Sequence, residues 1–214
     1  MTRITATLSI AMACASSHVV LGQAARDPVK GVSDVRKLYD SGQYQQVIAA
    51  TAGPASDPRV TYIRAQSHQK LLQVNEARQA YEQLATRPGS EADADADAWR
   101  DIGRSALALI GLDTAAALEA SNQAVTRSPS LPEAHYQRGL ALSATQDMAG
   151  AAEAFQKASD LDPTWAYAHY YAGLAYSKVK RIDLTAQHFQ TFLRLAPQAP
   201  ERMEVQSIMK ALNR

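Results

Sequence analysis

Asp93, Asp95 and Asp97 alternate along the chain as the first acids of a calcium loop do. Such a loop also needs Gly at its sixth place and Glu at its twelfth, and here Ala98 and Arg104 stand there. Acids ahead of a helix N-terminus instead meet the positive end of its dipole. His135 and His169 are one internal repeat apart. Equivalent places on neighbouring helices lie about 8–10 Å from each other, too far to share an ion bound at about 2 Å. His68 and His188 have no acidic or thiol companion at ligand spacing. The single cysteine, Cys14, forms neither an internal disulfide nor a four-thiolate site. No Gly-x-Ser-x-Gly elbow or Gly-rich phosphate loop is present, and no acid pair stands out as a tuned couple. The residues with chemical potential therefore predict no enzyme, no cofactor and no metal.

The elements that carry these residues are predicted to be helices. The 214 residues are 46% hydrophobic and 20% charged, rich in the helix formers Ala, Leu, Gln and Arg, so disorder is disfavoured. With 22 basic residues against 21 acidic ones and no long basic run, a nucleic-acid partner is not expected.

Residues Met1–Ala24 differ in character from the rest of the chain. Arg3 opens a weakly apolar run from Ile4 to Leu21, and Gly22-Gln23-Ala24 supplies small residues around a cleavage point. The segment is read as a signal peptide. A membrane anchor is the rival, but Ser16, Ser17 and His18 interrupt the run. A lipoprotein signal acylated on Cys14 is a third reading. It is weakened by Ala where Leu is usual before the Cys and by apolar Val19–Leu21 after it. Removal of residues 1–24 takes away Arg3, Cys14 and no acid, leaving a thiol-free remainder of zero formal net charge that suits an oxidising export compartment. An exported protein, periplasmic or secreted in a bacterium, is expected; contact with a membrane requires that 1–24 be retained or Cys14 lipidated.

Residues 132–165 and 166–199 align without a gap at twelve identities, among them His135/His169, Tyr136/Tyr170, Gly139/Gly173, Ala152/Ala186, Phe155/Phe189 and Pro163/Pro197. Gly139 and Gly173 have no side chain, so a second helix can approach closely there. Ala151 and Phe155 are four residues apart on one face of that helix, and Pro163, lacking an N–H, ends it. Earlier stretches repeat the frame more loosely: Trp99, Ile102, Gly103, Ala117 and Ala124 in one, Ala65, Ala77, Tyr81 and Leu84 in another, Val35, Leu38 and Tyr44 in the first. Gly103 to Ala117 is two residues longer than Gly139 to Ala151, which predicts an extended turn around Gly111-Leu112-Asp113. Gly53-Pro54 is expected to shorten the second helix of the first unit. Val205, Ile208, Met209 and Leu212 form a helical stripe suited to a cap.

The 34-residue spacing resembles the tetratricopeptide repeat, most closely from Pro132 to Pro197. The resemblance implies an all-α, right-handed superhelical solenoid of antiparallel helix pairs with a C-terminal capping helix. Residues 25–214 form this domain, in units 28–57, 58–95, 96–131, 132–165 and 166–199 with a cap at 200–213. It further implies that the first helix of each pair lines a concave groove. With His135, Gly139 and Leu142 facing the second helix, the inward residues are Tyr136, Leu140 and Ser143. Tyr167, Tyr170, Leu174 and Lys178 occupy the next unit. Arg100 and Arg104 precede them, and Arg59, Tyr62, Gln66 and Lys70 come before those.

Tyr and Arg are frequent anchors of interfaces. The Lys, Asn and Arg clamp by which chaperone-tail binders of the family hold two carboxylates is absent, because Tyr136, Leu140, Tyr167 and Tyr171 stand at its places. The expected function is a non-catalytic adaptor that binds a peptide or partner protein in the groove, with no small-molecule substrate. The alternative is a structural subunit or assembly factor of an envelope or secretion complex, docked through its convex face or cap.

Overall fold

The computed structural model describes residues 31–53, 55, 57–88 and 95–212. The N-terminal segment 1–24 and Asp93 lie outside them. Eleven helices run in order among the described residues: α1 Val32–Asp40, α2 Tyr44–Ala50, α3 Pro58–Lys70, α4 Val74–Ala85, α5 Ala96–Ile110, α6 Thr114–Arg127, α7 Pro132–Ala144, α8 Met148–Leu161, α9 Ala166–Lys178, α10 Ile182–Leu195 and α11 Arg202–Leu212. They pack as consecutive antiparallel pairs into an all-helical array, with α11 lying against α10. Val205 is its buried anchor, and Ile208 and Met209 pack beside it.

One turn is used five times. Each pair is joined by three residues, the middle one at positive φ: Gly42 at 74°, Leu72 at 59°, Leu112 at 62°, Gln146 at 66° and Lys180 at 61°. The residue after it donates its N–H back to the last turn of the first helix, as from Asp147 to the Leu142 carbonyl at 3.0 Å and from Gln73 to that of His68 at 2.9 Å. This Schellman closure satisfies carbonyls that the helix end leaves free. The turn at Gly111–Asp113 is therefore not extended. The two additional residues lie in α5, which has 15 residues where α3, α7 and α9 have 13. Continuing a helix keeps its carbonyls paired, whereas lengthening the turn does not. The second helix of the first pair is short, at seven residues.

Within the fourth and fifth pairs the close approach occurs at glycine. A Cβ on Gly139 would stand 2.7 Å from the Phe155 ring, and one on Gly173 2.6 Å from that of Phe189. Gly103 takes another neighbour: its Cβ would meet Ala85 N at 2.6 Å and Leu84 Cβ at 2.9 Å, on α4 of the preceding pair. His135 Nε2 bonds the Pro129 carbonyl at 2.8 Å, and His169 Nε2 that of Pro163 at 3.3 Å. Both histidines thus tie each pair to the loop before it.

Candidate binding groove

The first helices of the pairs, α3, α5, α7 and α9, meet on the inside of the array. A buried polar thread crosses them: Tyr62 Oη donates to Gln137 Oε1 at 2.8 Å, Gln137 Nε2 to Ser105 Oγ at 3.2 Å, and Ser105 Oγ to the Ala117 carbonyl at 2.8 Å. Beyond it lies an aromatic bed. Tyr136 stacks on Trp165 at 4.4 Å and meets Phe155 edge-on at 5.5 Å, while Tyr171 stacks on Phe155 at 5.4 Å. Tyr167 and Tyr170 pack on Phe192 at 5.8 and 5.1 Å.

The chain's own first helix pair lies against this bed. Arg36 sits with its guanidinium 5.1 Å from the Trp165 ring centre, pairs with Asp162 and reaches Glu133 at 3.5 Å. Tyr39 meets Tyr167 edge-on at 5.0 Å, and the hydroxyls of Tyr44 and Tyr167 are 3.3 Å apart. The joint continues into the cap. Tyr167 donates to Glu201 Oε2 at 2.7 Å, Lys70 Nζ to Oε1 at 2.6 Å, and a Cβ on Gly42 would stand 2.7 Å from Pro200 Cγ. The solenoid is closed, its first pair touching its fourth and fifth.

Burial sets the protonation states here. It holds Tyr39, Tyr62, Tyr136 and Tyr167 well above the usual phenol range, so their hydroxyls stay protonated. Burial also raises the Asp40 carboxyl to about 7; Arg36 opposes this, and Asp162 and Glu201 add to it. For Glu201 burial pushes upward, but hydrogen bonds from Lys70 and Tyr167 prevail and hold it below the usual carboxylate range. Among the described residues four buried side-chain atoms lack a hydrogen-bond partner: Arg36 Nε, Asp40 Oδ1, Glu133 Oε2 and Arg138 Nε.

Of the inward set, Tyr62, Gln66, Tyr136, Tyr167 and Tyr170 are buried, Arg100, Leu140 and Leu174 are half-buried, and Arg59, Arg104 and Lys178 are exposed. Arg59 clamps Asp57 at 2.7 Å; Arg100 pairs with Asp97 and bonds the Arg87 carbonyl at 3.0 Å; Arg104 holds buried Asp101 at 3.0 Å. The structure thus unites Tyr136, Tyr167 and Tyr170 around Tyr171 and disperses the three arginines among local carboxylates, while Lys70 reaches across to Glu201. Asp97 also meets Arg127 at 3.3 Å, and Asp95 accepts from Ser128.

Sequence reasoning missed Arg36, Tyr39, Glu133, Asp162 and Glu201, none of which recurs one repeat away. An open cavity of about 690 Å³ remains at one end of the joint, where the N-terminal ends of α1, α3, α5 and α7 converge around Arg36, Arg59, Glu133 and Asp162. Among the described residues no group of three His, Cys, Asp or Glu side chains is placed to hold a metal. No described helix is long and apolar enough to cross a membrane.

The family model for the tetratricopeptide repeat matches residues 132–165. A thermophilic tetratricopeptide-repeat protein of Thermus thermophilus, TTC0263, superposes with a TM-score of 0.57 at 19% identity, over 85% of this chain and 96% of that one. YrrB, described as a repeat protein with an unusual peptide-binding site, gives 0.49 at 18% identity, over 86% and 92%. MamA from Desulfovibrio magneticus RS-1 gives 0.44 at 22%, over 77% and 97%. No curated protein matches the sequence. Residues 132–165 are a tetratricopeptide repeat, and the described array of helix pairs has the fold of tetratricopeptide-repeat structures. That architecture is a scaffold for protein–protein interaction.

Proposed function

We propose that the protein is an exported, non-catalytic adaptor that takes a segment of a partner protein against the inner faces of α7 and α9. The supporting observation is the aromatic bed of Tyr136, Trp165, Tyr167 and Tyr170, already shaped to hold a helix, since α1 rests on it. Aromatic surface of this kind anchors interfaces. Export is supported by the composition of residues 1–24.

A second reading, the subunit of an envelope assembly docked by its convex face or cap, is favoured by one fact. With α1 seated, apolar side chains such as Met203 on α11 and Ile182 on α10 remain open to solvent, at 72% and 54% exposure. Leu140→Glu with Leu174→Glu places charge on the half-buried inner residues of α7 and α9 while sparing the tyrosines. In cross-linking pull-downs of the full chain from its host, the adaptor loses its partner in this variant, with circular dichroism unchanged. Retention of the partner moves the site to the outer surface.

A further inference from the structure

Among the described residues, the joint between α1 and the groove gathers most of the unpartnered buried polar atoms. Three of the four unpartnered buried atoms belong to it, on both sides: Arg36 Nε and Asp40 Oδ1 on α1, Glu133 Oε2 on α7. Each such atom gives up the hydrogen bonds it would make to water and gains none in return. The elements held are also short, nine residues in α1 and seven in α2. Helices of that length have no stability of their own in water. Their attachment is asymmetric. Arg64 fastens the far end, with Nη1 on the Thr51 carbonyl at 2.6 Å and on that of Gly53 at 2.8 Å. The α1 end is held by Arg36 and Tyr39, one turn apart on one helix face.

We propose that α1–α2 is a built-in competitor for the groove, and that the partner displacing it is a protein helix carrying Arg followed three residues later by Tyr. The proposal rests on the groove reading and names its ligand chemistry. The receiving surface specifies each part. A guanidinium has the Trp165 face beneath it, with the Asp162 and Glu133 carboxylates beside it. A ring three residues on has Tyr167. Lysine at the first place loses the planar fork and the stacking. Because α1 is tethered through Thr51, it acts at a millimolar effective concentration. A free partner must either bind more tightly than α1 or recruit the unpaired groups that α1 leaves.

The test uses a fluorescein-labelled peptide of the Val32–Ala50 sequence and a control peptide with Arg36→Ala and Tyr39→Ala. Both are titrated by anisotropy into the full chain and into the full chain with R36A/Y39A, whose groove is unaltered. Emptying the groove raises apparent affinity by the inverse of the fraction open. The expected result is binding about tenfold or more tighter to the variant than to the unaltered chain, and loss of binding by the control peptide. Equal affinity for both chains overturns the proposal.

Hydrogen exchange of the unaltered chain decides the matter should the variant unfold. The proposal requires amides of α1 and α2 to exchange about tenfold faster than those of α7–α10, and equal protection overturns it. Peptide failure with partner capture still lost in the Leu140/Leu174 variant refutes the competitor and keeps the groove. Peptide binding with capture retained refutes the adaptor and keeps the self-contact.

Discussion

The fourth and fifth helix pairs and the joint made by the first pair bury aromatic side chains of similar size, but they do so in different ways. In the pairs, Phe155 and Phe189 fill notches left by glycine, with neighbours one helix away. At the joint, Tyr39 and Arg36 meet Tyr167, Trp165 and Asp162 from more than a hundred residues away, and polar atoms are left without partners. A notch is a local fit that propagates with the repeat. The joint is a single long-range contact with unfavourable terms built in, and a surface of that kind can come apart while the rest stays folded.

The largest test of this contrast is a pair of truncations. Phe155→Ala leaves a cavity against Gly139 and Tyr136 and is expected to cost about 3–5 kcal/mol of global stability. Tyr39→Ala removes a ring of like size yet should leave denaturant unfolding of α7–α10 nearly unmoved, appearing instead as faster amide exchange in α1 and α2. Equal losses in the denaturant midpoint would erase the distinction.

A smaller effect is the opposite pH response of the two regions. Asp40 titrates at about 7 in the folded protein, above its ordinary value of 3.8. The closed joint therefore binds a proton the open chain releases. The contribution of Asp40 to the joint is full in acid and falls as pH rises from about 4 through 7, whereas that of Glu201 is lost only in stronger acid. His188 is buried on α10, stacked on Tyr176 and within 3.0 Å of His169. Burial, with His169 adding, lowers it from 6.5 to about 4. The last pair is thus stable above pH 6.5 and weakens as pH falls toward 4. Protection factors of α1–α2 should fall between pH 5 and 8 in the native chain and stay level in Asp40→Asn. A decline that persists in Asp40→Asn assigns it to another group.

How much of this was legible divides along the same line. Gly139 and Phe155 could be placed because their spacing recurs at Gly173 and Phe189, and periodicity reports what neighbouring units share. Arg36 and Asp162 do not recur, so no pattern marks them. Tyr136 and Tyr170 could be set at one repeat position from their spacing, whereas their covering depends on the curvature of the whole array. The turn at Gly111-Leu112-Asp113 was placed but expected to be longer, because a count from Gly103 to Ala117 does not say whether two added residues extend the turn or the helix before it. Leu112 there carries the positive φ that glycine usually supplies.

That substitution gives the smallest prediction. Leu112 is 86% exposed and buries nothing in exchange for its left-handed backbone. Leu112→Gly should raise stability by about 0.5–1 kcal/mol and leave the joint unchanged. A lowered melting temperature would show that the leucine has a partner.

Closure also bears on how such a chain can evolve. Solenoids ordinarily lengthen by duplicating a unit, because each unit answers only to its neighbours. Here Arg36 and Gly42 answer to Asp162 and Pro200, on the far side of the array. An inserted unit would carry Asp162 and Pro200 out of register with Arg36 and Gly42 while improving every local contact it made. The number of repeats, which is free to vary in an open array, is constrained in this chain by the geometry of its closure.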